Sequence, residues 1–242
     1  MKRLVIVGVT VFLAVLIVSF PARVAYDWFA PDALQLAGIS GSVWSGSAAE
    51  AKTGDAYIRN ISWRFSPMAL LTGKLAFRTT SNPASGTMRV VVAISPSGTL
   101  TLTDLDGNLP LDLLHPALQQ GGVRGDLALQ FDSVVMRNGI PVAAEGIVTV
   151  NDFFVADLSA SQLGDYRAEF QTNDDTIVGS VEDVSGVLDV AGTITLSPDR
   201  SYSFIGLVAP TPMTPPAVVN QLRYLGTANA RGQHEFRFEG QL

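Results

Sequence analysis

Apolar and polar residues alternate with a period of two through most of this chain beyond Pro31. In the segment DLALQF, Leu127, Leu129 and Phe131 fall on one side, and TLTLTDL repeats the spacing. The same period continues in GIVTV, VLDVAGTITL, RSYSFIGLV and HEFRF. Successive side chains of a β-strand point to opposite faces, so the pattern predicts antiparallel strands with one buried face.

Turn residues recur about every eight to twelve positions, which is typical of short connections in an antiparallel sheet. Candidate turns lie at residues 53–55, 96–98, 137–139 and 198–200. Three segments without strand-like alternation predict helix instead, at 67–71, 109–119 and 216–225. We expect an all-β, mostly antiparallel fold: one elongated, strongly twisted and curved sheet with a few short helices. The order of the strands within 82–138 is left open.

The N-terminus carries an apolar run from Leu4 to Phe20 that follows Lys2 and Arg3. At ~1.5 Å per residue, this run and the two residues after it just span a hydrocarbon layer as a helix. We therefore predict a single transmembrane anchor that includes Leu4, Leu13 and Phe20. A cleaved signal peptide is the competing interpretation, but the run is long for one and no small-x-small cleavage site follows it.

Aromatic residues follow the apolar run, where Tyr26, Trp28 and Phe29 would lie at the membrane interface. Basic residues at the extreme N-terminus predict a cytoplasmic start and export of the rest across the membrane. The expected organisation is an anchor over residues 1–23 and a single exported β-rich domain over 24–242.

The exported part is acidic. Three of the 16 basic residues and none of the 22 acidic ones lie at or before Arg23, which leaves 13 basic against 22 acidic residues and a net charge of −9. Such a domain is a poor ligand for a polyanion, so nucleic acid is excluded as a partner. The chain has no cysteine, which excludes disulfides, thiolate nucleophiles and cysteine-based zinc sites.

The sequence offers no recognisable catalytic, cofactor or metal site. His115 and His234 have neither a partner at i+4 nor an acidic cluster nearby. Asp104, Asp106 and Asn108 alternate as in a calcium loop, but the glycine comes at the fourth position instead of the sixth, so a hairpin end is favoured. We predict that the protein is not an enzyme.

Three further short motifs are interpreted as structural. The RGD at 124–126 opens a strand, the NIS at Asn60 belongs to a packed strand because Trp63 follows, and the NDD at 173–175 is a turn. No two of the 22 acidic residues are singled out as the paired carboxylates of a glycosidase. A hydrolase is therefore unsupported.

Trp44 lies in GSVWSGSA, where small residues surround one large ring. A sheet uses this arrangement to let an aromatic ring cover neighbouring glycines. The alternative, a ring that stacks on a sugar, needs polar partners beyond the serines present here. We interpret Trp44 as a structural plug, and we expect Trp44 and Trp63 to be largely buried.

Taken together in order, several segments resemble the type II secretion system protein N family. They are GISGSVWSGSA, ISWRFSPMALLTGKL, QLGDYRAEF, SGVLDVAGTITLSPDRSYSFIGLV and LRYLGTANARGQHEFRFEGQL, preceded by the anchor. The residues that carry the resemblance are structural: Gly41, Trp44, Gly46, Trp63, Pro67, Leu71, Gly73, Leu225, Gly226, Gly232 and Gly240.

The resemblance implies an accessory or assembly component of the bacterial inner membrane, with its β-rich domain over 24–242 in the periplasm. It would support export of folded proteins from the periplasm across the outer membrane. Its partners would be other inner-membrane and periplasmic components of the secretion system, and it implies no cofactor. The family also looks distantly similar to AsmA-like envelope proteins. That likeness implies the alternative of a domain that shields or conveys lipid in a β-groove.

Overall fold

A computed structural model of the chain describes residues 2–30, 34–53, 56–114, 122–156, 158–159 and 161–241. The described strands form one antiparallel sheet. They are β1 (Leu34–Ala37), β2 (Ser40–Gly41), β3 (Ser45–Thr53), β4 (Ala56–Ser66), β5 (Leu75–Pro83), β6 (Thr87–Ile94), β7 (Leu100–Pro110), β8 (Val123–Arg137), β9 (Ile140–Val155), β10 (Gly164–Asn173), β11 (Thr176–Gly186), β12 (Leu188–Leu196), β13 (Ser201–Pro210) and β14 (His234–Gln241).

The strand order follows the chain. From β3 to β14 each strand pairs with the next one along the sequence, and β1 and β2 both pair with β3. The order within 82–138, which the sequence leaves open, is therefore the simplest one, β5-β6-β7-β8. Short turns at 96–98, 137–139 and 198–200 join neighbouring strands as predicted, and residues 54–55 lie outside the described part.

The registers place apolar side chains in continuous rows across one side of β7–β14, which we call the apolar face. One row contains Leu105, Phe131, Gly146, Phe170, Gly179, Ile194, Phe204 and Phe238. The next contains Gly107, Leu129, Val148, Ala168, Val181, Gly192, Gly206 and Phe236. The opposite side carries charged residues such as Arg167, Glu169 and Glu182. The period-two prediction of a sheet with one apolar face is confirmed.

Aromatic rings cover glycines on neighbouring strands of this face. A Cβ added to Gly179 would lie 2.6 Å from the ring of Phe170, and a Cβ on Gly206 would collide with the ring of Phe236. The glycines therefore make room for rings that would otherwise find no space beside a side chain. This pairing is a recognised way to pin register and curve a sheet.

Three polar residues with positive φ interrupt the regular ladder, namely Asn60, Asp104 and Asp152. Each lies at or beside a shift in register, which marks a β-bulge. Bulges bend a strand and increase its twist. The prediction of a hairpin end at Asp104 and Asp106 was wrong, since both residues lie inside β7.

Three helical segments beyond the N-terminal region were predicted, and two agree with the structure. A 3-10 helix spans Pro67–Thr72, and α-helix Pro216–Leu222 continues as a 3-10 turn through Leu225. The third was wrong at its start, because β7 extends through Pro110; Leu111–Leu114 forms a 3-10 turn, and the rest of the predicted segment cannot be compared. Residues 115–121, which include His115, lie outside the described part.

Two α-helices precede the sheet: α1 (Lys2–Val18) and α2 (Ala22–Phe29). The second was not predicted as a helix. None of the helices in the described part of the chain is both long enough and apolar enough to cross a membrane. We number the helix Pro216–Leu222 α3.

The main core lies between α3 and the apolar face. Val218 on α3 is completely buried and packs with Leu163, Leu188, Val208 and Leu222. A second cluster forms around Leu109, Leu111, Val123 and Leu127. Both clusters cover only part of the sheet, so much of the apolar face remains half-buried.

Candidate functional site at the junction of the first helix with the sheet

The loop between β2 and β3 holds the connection between α1 and α2. The backbone N–H of Val43 donates to the carbonyl of Phe20 (3.0 Å), and Trp44 Nε1 donates to the carbonyl of Ile17 (2.7 Å). Pro21 forms an isolated antiparallel bridge with Ser42. The last carbonyls of a helix have no partner within it. The loop thus bonds one carbonyl in the last turn of α1 and one just beyond its end, and so fixes the helix to the sheet.

Trp63 on β4 bonds to the backbone of this loop. Its Nε1 lies 3.2 Å from the carbonyl of Ser42 and 3.1 Å from that of Val43. Its ring lies over Gly46, where an added Cβ would be 2.5 Å from the ring. Trp63 therefore has the glycine-covering role that the sequence pattern suggested for Trp44.

Trp44 has a different role. Its ring packs on Phe65 at a centroid distance of 4.9 Å, and Phe65 packs on Phe77 at 5.5 Å. Trp44 and Trp63 are both only half-buried, so the expectation that they are largely buried was wrong. The physical reason is that Trp44 lies beside the end of α1 and Trp63 beside α2, and these helices cover the two rings only in part.

The helix α2 covers the neighbouring edge of the sheet. The Tyr26 hydroxyl donates to the carbonyl of Leu34 (2.8 Å) and accepts from the N–H of Leu36 (3.1 Å). Both groups belong to β1, the first strand of the sheet order. Side-chain cover of this kind prevents another strand from pairing there. This role of Tyr26 has no signal in the sequence.

The structure brings together four of the residues that carry the family resemblance: Gly41, Trp44, Gly46 and Trp63. Gly41 has a φ of +86° and approaches the backbone of β3 so closely that a side chain would clash. The other seven lie elsewhere. Pro67 starts and Gly73 ends the first 3-10 helix, Leu71 is exposed, Leu225 and Gly226 end the last 3-10 turn, Gly232 lies in the loop before β14, and Gly240 lies under the ring of Tyr202.

The predicted anchor residues lie at and beyond α1. Leu13 is 50% exposed, and the ring of Phe20 lies 5.8 Å from that of Trp28. Leu4 belongs to α1, but its side chain is outside the described part. The structure thus places Phe20 at the junction, in contact with both the loop and α2.

A second feature is an apolar cavity of about 700 Å³ beneath α3 and the turn that follows it. Apolar side chains dominate its wall, among them Val181, Phe204, Leu222 and Phe236, together with the ring of Tyr166. Burial, with the nearby Asp183 and Asp165 carboxylates, raises the pKa of Tyr166 to about 12. The alternating pattern predicts the wall of this cavity, but no sequence signal predicts its size.

No group of three or more His, Asp or Glu residues within the described ranges could hold a metal ion. His234 Nδ1 contacts the carbonyl of Gly226 at 2.9 Å. The backbone N–H of Asp152 and the Ser185 hydroxyl donate to Asp165, which lowers its pKa. These contacts stabilise loops and a bulge.

The fold and the junction define a class of protein: a long one-layered antiparallel sheet with an apolar helix fixed to its first strands. The sequence model of the family described as "Type II secretion system (T2SS), protein N" matches residues 32–237. The chain is 25% identical to the type II secretion system protein N of Aeromonas hydrophila and 26% identical to that of Vibrio cholerae serotype O1. Both alignments cover all of this chain and all of the relative.

The chain belongs to the type II secretion system protein N family. It is therefore a component of a protein-transport system, and the family resemblance in the sequence is confirmed. No solved structure matches the chain.

Proposed function

We propose that this protein is a non-catalytic component of a type II secretion system, tethered to the bacterial inner membrane by α1 with its sheet in the periplasm. It supports the export of folded proteins across the outer membrane by contacting other components of the system. The observation that carries the proposal is the junction, where the backbone loop and Trp44 fix an apolar helix to a sheet formed by the residues that the family model matches.

The surface of α1 supports the tether. The described side chains of α1 from position 6 to 18 are exposed and mostly apolar, including Ile6 (64%), Phe12 (64%) and Val18 (70%). Exposure of such an apolar surface to water is unfavourable, whereas its burial in a bilayer is favourable. The 17 residues of α1 span about 26 Å, slightly less than the ~30 Å hydrocarbon layer, and local thinning of the bilayer accommodates such a mismatch at modest cost.

The helix α2 supports an interfacial position for the junction. It is amphipathic, with Trp28 68% and Phe29 77% exposed beside the charged Arg23 and Asp27. Exposed tryptophan next to charged residues is typical of the boundary between bilayer and water. The sheet would then begin directly above the membrane surface.

Two measurements test this function. Deleting the gene in the host bacterium should leave exoproteins in the periplasm, and expression of the full chain should restore secretion. The restored protein should stay in the membrane fraction after a carbonate wash, and protease added to spheroplasts should digest its sheet. As a matched control, His234→Ala should restore secretion as well as the wild type does, since a scaffold requires no particular titratable group.

Two results would contradict the proposal. Normal secretion by the deletion strain would show that the protein does not support export. A mature N-terminus between Phe20 and Ala30 would show that α1 is cleaved as a signal peptide.

A lipid carrier is the second candidate, and the cavity beneath α3 is the observation in its favour. The family relationship does not favour it, and the packing of Val218 and Leu222 already fills part of the space between α3 and the sheet. Native mass spectrometry of the purified domain distinguishes the two functions. Stoichiometric phospholipid together with normal secretion in the deletion strain would favour the carrier.

A further inference from the structure

The two edges of the sheet differ in how they are covered. At the first edge, the Tyr26 hydroxyl occupies two polar groups of β1, the carbonyl of Leu34 and the N–H of Leu36. At the other edge, β14 ends the sheet order, and none of the strands in the described ranges pairs with its outer side. The pairing between β13 and β14 is regular from Ser201↔Gln241 to Val208↔His234, without a bulge. A regular, uncovered edge strand presents a row of N–H and C=O groups that another strand can pair with.

The side chains of β14 are divided by face. Phe236, Phe238 and Gly240 lie on the apolar face, and Phe238 is 61% exposed although it is large and apolar. Glu235, Arg237 and Glu239 lie on the opposite face and are exposed. Arg237 and Glu239 form an ion pair along the strand.

This order of residues is complementary to itself in antiparallel orientation. When Phe238 lies opposite Phe238 of a second copy, each Arg237 lies opposite a Glu239, and each Phe236 lies opposite a Gly240. Opposite charges and aromatic–glycine pairs are both favourable between neighbouring strands. A shift by one pair in either direction places Arg237 opposite Arg237 or Glu239 opposite Glu239. Like charges oppose both shifts, so this register is selected.

The sheet already contains the arrangement that this register would create. Gly146 lies between Phe131 and Phe170 on its two neighbouring strands. Gly240 is covered by the ring of Tyr202 on the neighbouring strand β13. In the self-paired register, Phe236 of the second copy would approach Gly240 from the other side. The new interface would repeat a packing that the protein uses within its own sheet.

We propose that two copies of this chain pair through β14 in antiparallel orientation, with Phe238 on the two-fold axis, so that their sheets join edge to edge. A two-fold axis perpendicular to the sheets puts both apolar faces on the same side and makes one continuous surface. The occupant is a second copy because the charge pattern of β14 matches its own reverse. The proposal rests on β14 alone and does not depend on the proposed function.

Cysteine crosslinking tests the pairing directly because the chain has no cysteine of its own. In the proposed register the two Cα atoms at position 238 are ~4.5–5.5 Å apart, within the range that a disulfide bridges. The full chain with Phe238→Cys, expressed in its host and treated with a mild oxidant, should form a disulfide-linked dimer. Glu239→Cys is the matched control, because its two Cα atoms would be about 8 Å apart, and it should remain a monomer.

A charge exchange tests the register. In the Phe238→Cys background, positions 237 and 239 of the two copies face each other. Arg237→Glu makes all of these residues acidic, and Glu239→Arg makes all of them basic. Each variant alone should lose at least about tenfold in dimer yield. When the two variants are expressed together, every pair across the interface is again opposite in charge, so a mixed dimer should return to about the original yield.

Each outcome decides the proposal. Crosslinking at 238 that needs complementary charges supports it. Absence of a dimer in folded Phe238→Cys chains overturns it, and so does a disulfide to a protein of another mass, which would show that a different partner uses this edge. If Phe238→Cys fails to fold, Glu235→Cys and Gln241→Cys expressed as separate chains replace it, since these positions face each other in the same register. A mixed disulfide between them supports the pairing, and its absence in folded chains overturns it.

Discussion

Replacing Val218 with aspartate is expected to unfold the part of the protein beneath α3. Val218 has no exposed surface and packs against Leu163, Leu188 and Val208. A carboxylate at this position would lose its hydration without gaining a partner, and such changes cost ~4 kcal/mol or more. Because a domain is stable by only about 5–15 kcal/mol, we expect a large fall in soluble yield and in the denaturant midpoint.

The control for this substitution is Asn220→Asp, which introduces the same charge at an exposed position of the same helix. It should change the denaturant midpoint little, because surface substitutions are usually within about 0.5 kcal/mol of neutral. Equal midpoints for the two variants would show that α3 does not pack on the sheet as described.

Replacing Trp63 with alanine should destabilise the protein by about 3 kcal/mol, near the lower end for a tryptophan because the ring is only half-buried. The variant loses the ring that covers Gly46 and the donor to the carbonyls of Ser42 and Val43. Thermal unfolding of the full chain in detergent measures the loss.

Trp44→Ala is the comparison for this prediction. Trp44 donates to Ile17 at the end of α1, so its loss should matter less in a domain that lacks residues 2–20, whereas the loss of Trp63 should matter equally in both forms. An equal cost of Trp44→Ala in the full chain and in the shortened domain would contradict the role assigned to Trp44. An unchanged melting curve for Trp63→Ala would contradict the role assigned to Trp63.

The alternating pattern of the sequence predicts the sheet and its apolar face. Successive side chains of a strand point to opposite faces, so a strand with one apolar face alternates between apolar and polar residues in the sequence. It also predicts the turns at 96–98, 137–139 and 198–200, where asparagine, aspartate, proline and glycine have specific backbone preferences. The simple strand order then follows from short connections. These parts of the fold depend on residues that are close together in the sequence, so they can be predicted from it.

The features that the sequence does not predict depend on contacts between distant segments. The bond between Trp44 and Ile17 joins residues 27 positions apart, and Tyr26 reaches β1 only because α2 turns back along the edge. The sequence pattern identified a tryptophan that covers a glycine but assigned it to Trp44, because it could not show that β4 places Trp63 above Gly46. The bulges at Asn60 and Asp104 were missed for the same reason, since a bulge is a property of a strand pair.

The central claim is that the sheet supports secretion as a tethered scaffold. The most direct measurement compares secretion by a deletion strain that carries either the full chain or the domain without residues 2–20, exported by a cleavable signal peptide to the same periplasmic level. Tethering raises the effective concentration of the domain at the membrane. The account predicts that the full chain restores exoprotein release into the medium and that the untethered domain restores clearly less. Equal restoration by the two forms would contradict it.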